Sequence, residues 1–236
     1  MKILHTADWH LGQTFYEYDR REEHFHFLEW LKQQIKQHEI DVLLIAGDVF
    51  DSPNPSAESQ RVYYRFLREV TSENPSLQIV IIAGNHDSAA RLEAPNPLLE
   101  DMNIIVRGTV RRNAEGDIDL QHFIVPLYTE GKVTAYCLAV PYLRQGDYPS
   151  AENYSKGVQQ LYEQLFNKVK EKGIPVVVMG HLQATGSEIS EDDRSERTVI
   201  GGLECVSPDA FNEAITYTAL GHLHRSQRVS HREKIG

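Results

Sequence analysis

Carboxylate, amide and imidazole side chains crowd together at short spacing in five segments of this sequence. They are Asp8-x-His10, Gly47-Asp48-x-x-Asp51, Gly84-Asn85-His86-Asp87, Gly180-His181 and Gly221-His222-x-His224. Side chains of these types donate oxygen and nitrogen to divalent cations, and no thiolate stands among them. A mixed oxygen and nitrogen set favours manganese, iron or zinc over magnesium or calcium, which prefer all-oxygen shells. Asp8, His10, Asp48, Asn85, His181, His222 and His224 are too many ligands for one ion. They suit two ions about 3.5–4 Å apart that share a carboxylate, the arrangement used to displace groups at phosphorus.

Each segment alone has an ordinary explanation. Asp-x-His serves as a cap or a surface turn elsewhere, and Asp after Gly is common turn chemistry. Gly-Asn-His-Asp and Gly-His-x-His directly after apolar runs are stronger, because each places costly polar groups at a buried strand end. All five in this order leave little room for coincidence. Of the 11 histidines, only His10, His86, His181, His222 and His224 fall in these segments. His24 and His26 lie two apart on a predicted helix and share no face, which reads as structural or surface use. His5, inside the first strand, reads as a satisfied core histidine.

The elements that must position these residues are legible as apolar runs. Lys2–Ala7, Val42–Ala46, Ile79–Ala83, Val176–Met179 and Ile215–Leu220 are rich in Ile, Val and Leu without clean alternation. That pattern predicts strands covered on both faces. Each run leads directly into one of the five segments, and such strand ends converge on one crevice in α/β sheets. Four of the five have glycine just before the polar residue, which lets the backbone turn tightly.

Helices are expected over Arg20–His38 and from an Asn54-Pro55 start to about Val70. A third carries Val158, Leu161, Tyr162, Leu165, Phe166 and Val169 on one face and ends at Lys172-Gly173. Further strands near Ile104–Val106, Phe123–Val125 and Thr134–Val140 make the fold class α/β, with a sheet broad enough for two packed sheets. Gly186–Arg197 reads as a polar surface loop. Arg228-Val229 and Lys234–Gly236 read as a strand and the start of its return, so an N-terminal fragment of a longer protein is expected.

The 236 residues suit a single domain. Apolar residues at 41% and charged residues at 25% exclude disordered and fibrous classes. No run approaches the roughly 20 apolar residues of a membrane span. Asp8 and His10 interrupt any signal-peptide core, so a cytoplasmic location is expected by default. Cys137 and Cys205 match no zinc spacing and suit a reducing compartment. The net charge of −10 argues against a non-specific DNA coater, yet leaves a DNA-cutting enzyme open, because bound cations supply local positive charge.

The ordered motifs resemble the calcineurin-like metallophosphoesterases. HTADWHLGQ, LLIAGDVFD, IIAGNHDS and YTALGHLHRSQ narrow the resemblance to nuclease subunits that work with an SbcC-type ATPase in DNA repair. The resemblance implies a sandwich of two mixed β-sheets flanked by helices, with residues 1–236 forming the nuclease domain and lacking the capping and ATPase-docking regions. It implies that Asp8, His10, Asp48 and His224 hold one ion. Asp48, Asn85, His181 and His222 would hold the other, with Asp48 bridging. His86 would be the catalytic histidine, protonating the leaving oxygen or stabilising the transition state. Asp87 or Asp51 would orient that histidine or a ligand. Manganese dependence is implied, with 3′–5′ exonuclease action on duplex ends and endonuclease action on single strands or hairpins. A homodimer is expected, with the Asn54–Val70 helix as its candidate face, and no membrane partner. Arg20-Arg21 are the preferred DNA contacts. Two competing readings are a small-molecule phosphodiesterase with the same centre and a scaffold without metals, which the intact ligand positions disfavour.

Overall fold

A computed structural model describes residues 1–184, 205–224 and 227. The first half of the chain forms β1 (Ile3–Thr6), β2 (Thr14–Phe15), β3 (Tyr18–Asp19), α1 (Arg21–His38), β4 (Val42–Ala46), α2 (Ala57–Glu73), β5 (Gln78–Ile82), α3 (Ala89–Glu93), α4 (Asn96–Leu99) and β6 (Ile104–Arg107). The second half adds α5 (Leu120–Phe123), β7 (Ile124–Thr129), β8 (Lys132–Ala139), α6 (Tyr154–Val169), β9 (Val176–His181) and β10 (Tyr217–Gly221).

Two four-stranded sheets result, ordered β1-β4-β5-β6 and β10-β9-β8-β7. The expectation of two mixed sheets holds for the second, where β7 runs antiparallel to β8 and the other pairs are parallel. In the first, every described pairing is parallel. The reason is connectivity: α1 and α2 carry the chain back across the sheet between its strands, as parallel pairing requires.

Side-chain alternation divides the core into layers. Val42, Leu44, Ala46, Val80 and Ile82 of the first sheet pack against Val125, Leu127, Cys137, Ala139, Val177 and Met179 of the second. On the outer face of the first sheet, Leu43, Ile45, Ile79 and Ile81 meet Leu31, Ile35, Phe66, Leu67 and Val70 from α1 and α2. On the outer face of the second, Leu138, Val176 and Val178 meet Val158, Leu161, Leu165 and Val169 from α6. Every residue of β4 and β5 is therefore buried, which explains their lack of alternation. Burying each such side chain contributes on the order of 1.5–3 kcal/mol.

The expected boundaries of α2 needed correction at both ends. The cap of α2 is Ser56, not Asn54: its Oγ accepts the Ser59 N–H at 3.0 Å, and Pro55 stands outside the helix. The helix runs on to Glu73, past the expected Val70. Asn153 caps α6 by accepting the Lys156 N–H at 2.9 Å, and Gly173 closes the turn after it with φ 67°.

The β2–β3 hairpin has no counterpart among the predicted elements. Its turn residues, Tyr16 and Glu17, take φ of 46° and 68°. The Asn-Gly and Asp-Gly signatures of such turns are missing from the sequence there. Both Gly186–Arg197 and the C-terminal strand expected over Arg228–Gly236 lie outside the described residues. No helix among the described residues is long and apolar enough to cross a membrane.

Candidate metal centre

β1, β4, β5, β9 and β10 end side by side, and their polar termini meet at the carboxyl edge of the two sheets. β1 pairs with β4 and β4 with β5, while β10 pairs with β9. Across the sandwich, the His181 Nδ1–H donates to the Ala46 carbonyl at 2.9 Å and so joins the two edges. A carbonyl only accepts, so this bond fixes Nδ1 as a donor and turns Nε2 into the crevice.

Around Nε2 the ligand atoms gather. Asn85 Oδ1 lies 2.9 Å from His181 Nε2 and 2.9 Å from His222 Nδ1. Asp48 Oδ2 lies 3.2 Å from His181 Nε2 and 3.7 Å from His10 Nε2. On the other side, His10 Nε2 and His224 Nε2 stand 3.1 Å apart. Asp8, His10 and His224 form one group with ligand atoms within 4.8 Å of one another. Asp8, Asp48 and His181 form a second such group, and His10, Asp48 and His86 a third. Asp48 belongs to two of them, at the centre of the arrangement. Its Oδ2 is buried and has no hydrogen-bond partner among the described residues, which would be costly in a neutral surrounding. A buried carboxylate oxygen flanked by imidazole nitrogens fits a divalent cation, and the donor set fits one that accepts both nitrogen and oxygen.

Two glycines make this closeness possible. A Cβ at Gly47, whose φ is 91°, would run into the His181 ring. A Cβ at Gly84 would overlap Asp48 Oδ1.

The profile of calcineurin-like phosphoesterases matches residues 1–226. This chain belongs to the calcineurin-like phosphoesterase family. Among curated relatives, the SbcD subunit of nuclease SbcCD from Rhodobacter capsulatus is 41% identical over 241 residues, covering 97% of this chain and 59% of the relative. The protein of the same name in Escherichia coli K12 is 31% identical over 249 residues, covering all of this chain and 59% of the relative. That of Bacillus subtilis is 29% identical over 246 residues, covering 97% and 58%. The chain thus spans just under three fifths of the length of these relatives.

In this phosphoesterase the three remaining sequence candidates sit around the ligands. His86 Nδ1–H donates to the main-chain carbonyl of Asp51 at 2.9 Å, and its backbone N–H donates to Asp48 Oδ1 at 2.9 Å. The Asp51 carboxylate turns elsewhere, with Oδ1 3.3 Å from His10 Nδ1. Asp87 is buried and accepts three backbone N–H groups: Gly84 at 2.9 Å, Phe50 at 3.0 Å and Val49 at 3.2 Å. It therefore clasps the loop after β4 to the loop after β5.

Burial and charge set the protonation of the phosphoesterase centre. Burial would raise the Asp48 carboxyl, but the His181 and His10 imidazoles hold it well below the usual carboxylate range. Burial alone would lower His181, yet the Asp48 and Asp8 carboxylates push it up to about 10. Asp8 is raised, chiefly by burial. Asp51 is lowered, chiefly by its hydrogen bond with His10. The cluster thus gathers buried carboxylates and imidazoles whose charges depend on one another, a donor set that also suits a cation.

A cleft of about 450 Å³ opens beside Asp8, His10 and His224. Thr6, Gln13, Arg20, His24 and Phe27 line its far side. Read from sequence, His24 was a structural or surface residue. Arg20, His24 and Phe27 stand at i, i+4 and i+7 at the start of α1, and this spacing was the signal that could have placed them on one wall. Arg20 and Arg21 are engaged internally: Arg20 Nε donates to Glu23 at 2.8 Å and Arg21 Nη2 to Asp19 at 2.8 Å. Tyr142 was also missed. Its N–H donates to the Ala83 carbonyl at 2.8 Å, and its ring packs edge-on to His181 at 6.2 Å.

Proposed function

We propose that this chain is a metal-dependent phosphodiesterase that cuts DNA, acting as the nuclease subunit beside an SbcC-type ATPase in DNA repair. The observation that carries the reading is the convergence of two ligand groups on the Asp48 carboxylate, with His86 held at their edge. Its resemblance to relatives named nuclease subunits supports the choice of DNA. Asp8, His10, Asp48 and His224 would hold one ion, and Asp48, Asn85, His181 and His222 the other, with Mn²⁺ the metal that best suits this donor set. When bound, such ions supply Lewis-acid charge at phosphorus and make water acidic enough to attack near neutral pH.

The chain's own residues do the rest. His86 keeps its Nδ1 proton on the Asp51 carbonyl, so Nε2 is the atom that carries a proton to the leaving oxygen. The Asp51 carboxylate, 3.3 Å from His10 Nδ1, holds that nitrogen towards itself and so aims His10 Nε2 inward. Asp87 fixes the distance between the loops that carry Asp48 and Asn85. Residues 1–236 form the nuclease domain in this reading, pairing as a homodimer through α2. Exonuclease action is 3′–5′ on duplex ends, with endonuclease action on single strands or hairpins. The cytoplasm is its compartment, in keeping with two free cysteines.

The experiment is cleavage of end-labelled duplex DNA with Mn²⁺, against an EDTA control and His86→Ala. Metal-dependent cleavage that disappears in the variant is the expected result. Brisk hydrolysis of a small diester with no DNA cleavage would select the alternative, a small-molecule phosphodiesterase with the same centre, which the net charge of −10 leaves open.

A further inference from the structure

The β2–β3 hairpin presents three aromatic rings to solvent beside the candidate metal centre. Phe15 is 61% exposed, Tyr16 83% and Tyr18 77%. Phe15 and Tyr18 are direct cross-strand partners, so their side chains share one face of the ribbon. The Phe15 and Tyr16 rings meet edge to face at 4.6 Å.

Nothing in the packing among the described residues calls for these residues. Tyr16 and Glu17 occupy the two turn positions with positive φ, where Asn or Gly would sit without strain. A bulky ring is held in the left-handed region and buries almost nothing there. Three large exposed aromatics within four residues also depart from the usual scatter of single surface apolars.

The stem of the hairpin ties it to the site. Gln13 and Arg20 flank it, hydrogen-bond to each other, and both line the cleft that Asp8, His10 and His224 also line. The Gln13 N–H donates to the His10 carbonyl at 2.9 Å, so the turn carrying a candidate ligand continues directly into the hairpin. The stem of the hairpin thus stands at the cleft, and the strands that carry the rings leave from it.

Charge decides what kind of contact this rim makes. The chain carries −10, and the two arginines at the base of the hairpin are taken up by Glu23 and Asp19. Among the described residues the arginines at this place are already paired with carboxylates, whereas base–aromatic stacking needs no charge and tolerates any sequence.

We propose that the β2–β3 hairpin is a stacking platform that receives unpaired nucleobases of the strand whose phosphodiester lies at the metal centre. This rests on the reading of the chain as a DNA phosphodiesterase. The platform admits single-stranded or frayed ends, since a paired base has no free face to offer the rings.

The test compares the wild-type chain with a Phe15→Ala, Tyr16→Ala, Tyr18→Ala variant and a second variant carrying Trp at all three positions. The probes are a single-stranded oligonucleotide containing 2-aminopurine and bis(p-nitrophenyl) phosphate, with Mn²⁺ present. Binding to the wild type quenches 2-aminopurine. The alanine variant binds roughly tenfold more weakly for each stacked base lost, with the salt slope unchanged. The tryptophan variant restores both affinity and quenching. Turnover of the small diester reports an intact metal centre in each protein. Equal affinity in wild type and alanine variant, with DNA cleavage intact in both, sinks the platform and leaves the nuclease reading standing. A wild type that hydrolyses the small diester but neither binds nor cuts the oligonucleotide removes both. Sedimentation in which the alanine substitutions turn a dimer into monomers assigns the rings to self-association and overturns the proposal.

Discussion

His86 is oriented by the backbone of Asp51, not by its carboxylate: the imidazole Nδ1–H points at the Asp51 carbonyl, 2.9 Å away. The carboxylate of the same residue serves His10 instead. One loop after β4 thus aligns two imidazoles by two different groups, and a substitution at position 51 removes only one of them.

Replacing His86 by Gln should therefore separate chemistry from ion binding. We expect kcat to fall by roughly 10²–10⁴, while calorimetric titration with Mn²⁺ still shows binding at close to the wild-type affinity. Loss of metal binding in parallel with activity would make His86 a ligand, as its place in the group with His10 and Asp48 also allows.

Asp87→Asn keeps shape but turns one acceptor into a donor aimed at backbone amides. Three N–H bonds converge on this carboxylate, so at least one buried amide loses its partner. The expected cost is about 2 kcal/mol in urea denaturation, with weaker Mn²⁺ binding because the loops bearing Asp48 and Asn85 part. Unchanged stability would mean that the clasp contributes nothing.

Gly84→Ala places a methyl group against Asp48 Oδ1. We predict a folded protein by circular dichroism whose metal affinity drops on the order of 10–100-fold. Wild-type metal affinity would show that the Asp48 side chain can give way.

Acid should weaken the fold through two histidines away from the candidate ligands. Burial lowers His5 to about 4, and burial with the Arg107 charge lowers His122 to about 4. Both are below the ordinary value near 6.5, so the folded protein refuses protons that the unfolded chain accepts. Stability is full above pH 6.5, falls as pH drops from there towards 4, and levels off below about 4. Each histidine contributes on the order of 1–3 kcal/mol across that window. Urea midpoints from pH 7 to pH 4 should fall less steeply in His5→Gln than in wild type, and parallel profiles would remove His5 from the account.

The convergence of the candidate ligands was legible because each stands at or just after the end of an apolar run, and strand order alone brings such ends together. Asp8, Asp48, Asn85, His181 and His222 needed no knowledge of side-chain contacts to be placed at one edge. Asp51 and Asp87 were expected to orient the histidine or a ligand, but the groups through which they act were not legible. His86 meets the Asp51 carbonyl, and Asp87 meets the amides of Val49 and Phe50, across 35 to 38 residues, and such main-chain partners leave no residue-type signal. The β2–β3 hairpin escaped for a related reason: Tyr16 and Glu17 adopt a conformation their own types disfavour. The start of α2 was displaced by two residues because Ser56 caps as well as Asn54 does, and only the fold chooses between them.

The crevice is shared between the two sheets, with Asp8, His10, Asp48 and Asn85 supplied by the first half of the chain and His181, His222 and His224 by the second. On the proposed reading, a chain leaving the ribosome therefore has neither ion set complete until His222 and then His224 have emerged from the exit tunnel. If the chain is the nuclease proposed above, the unfinished polypeptide is chemically mute beside nucleic acid, and cutting competence arrives only once β10 and the turn after it have joined the sheet.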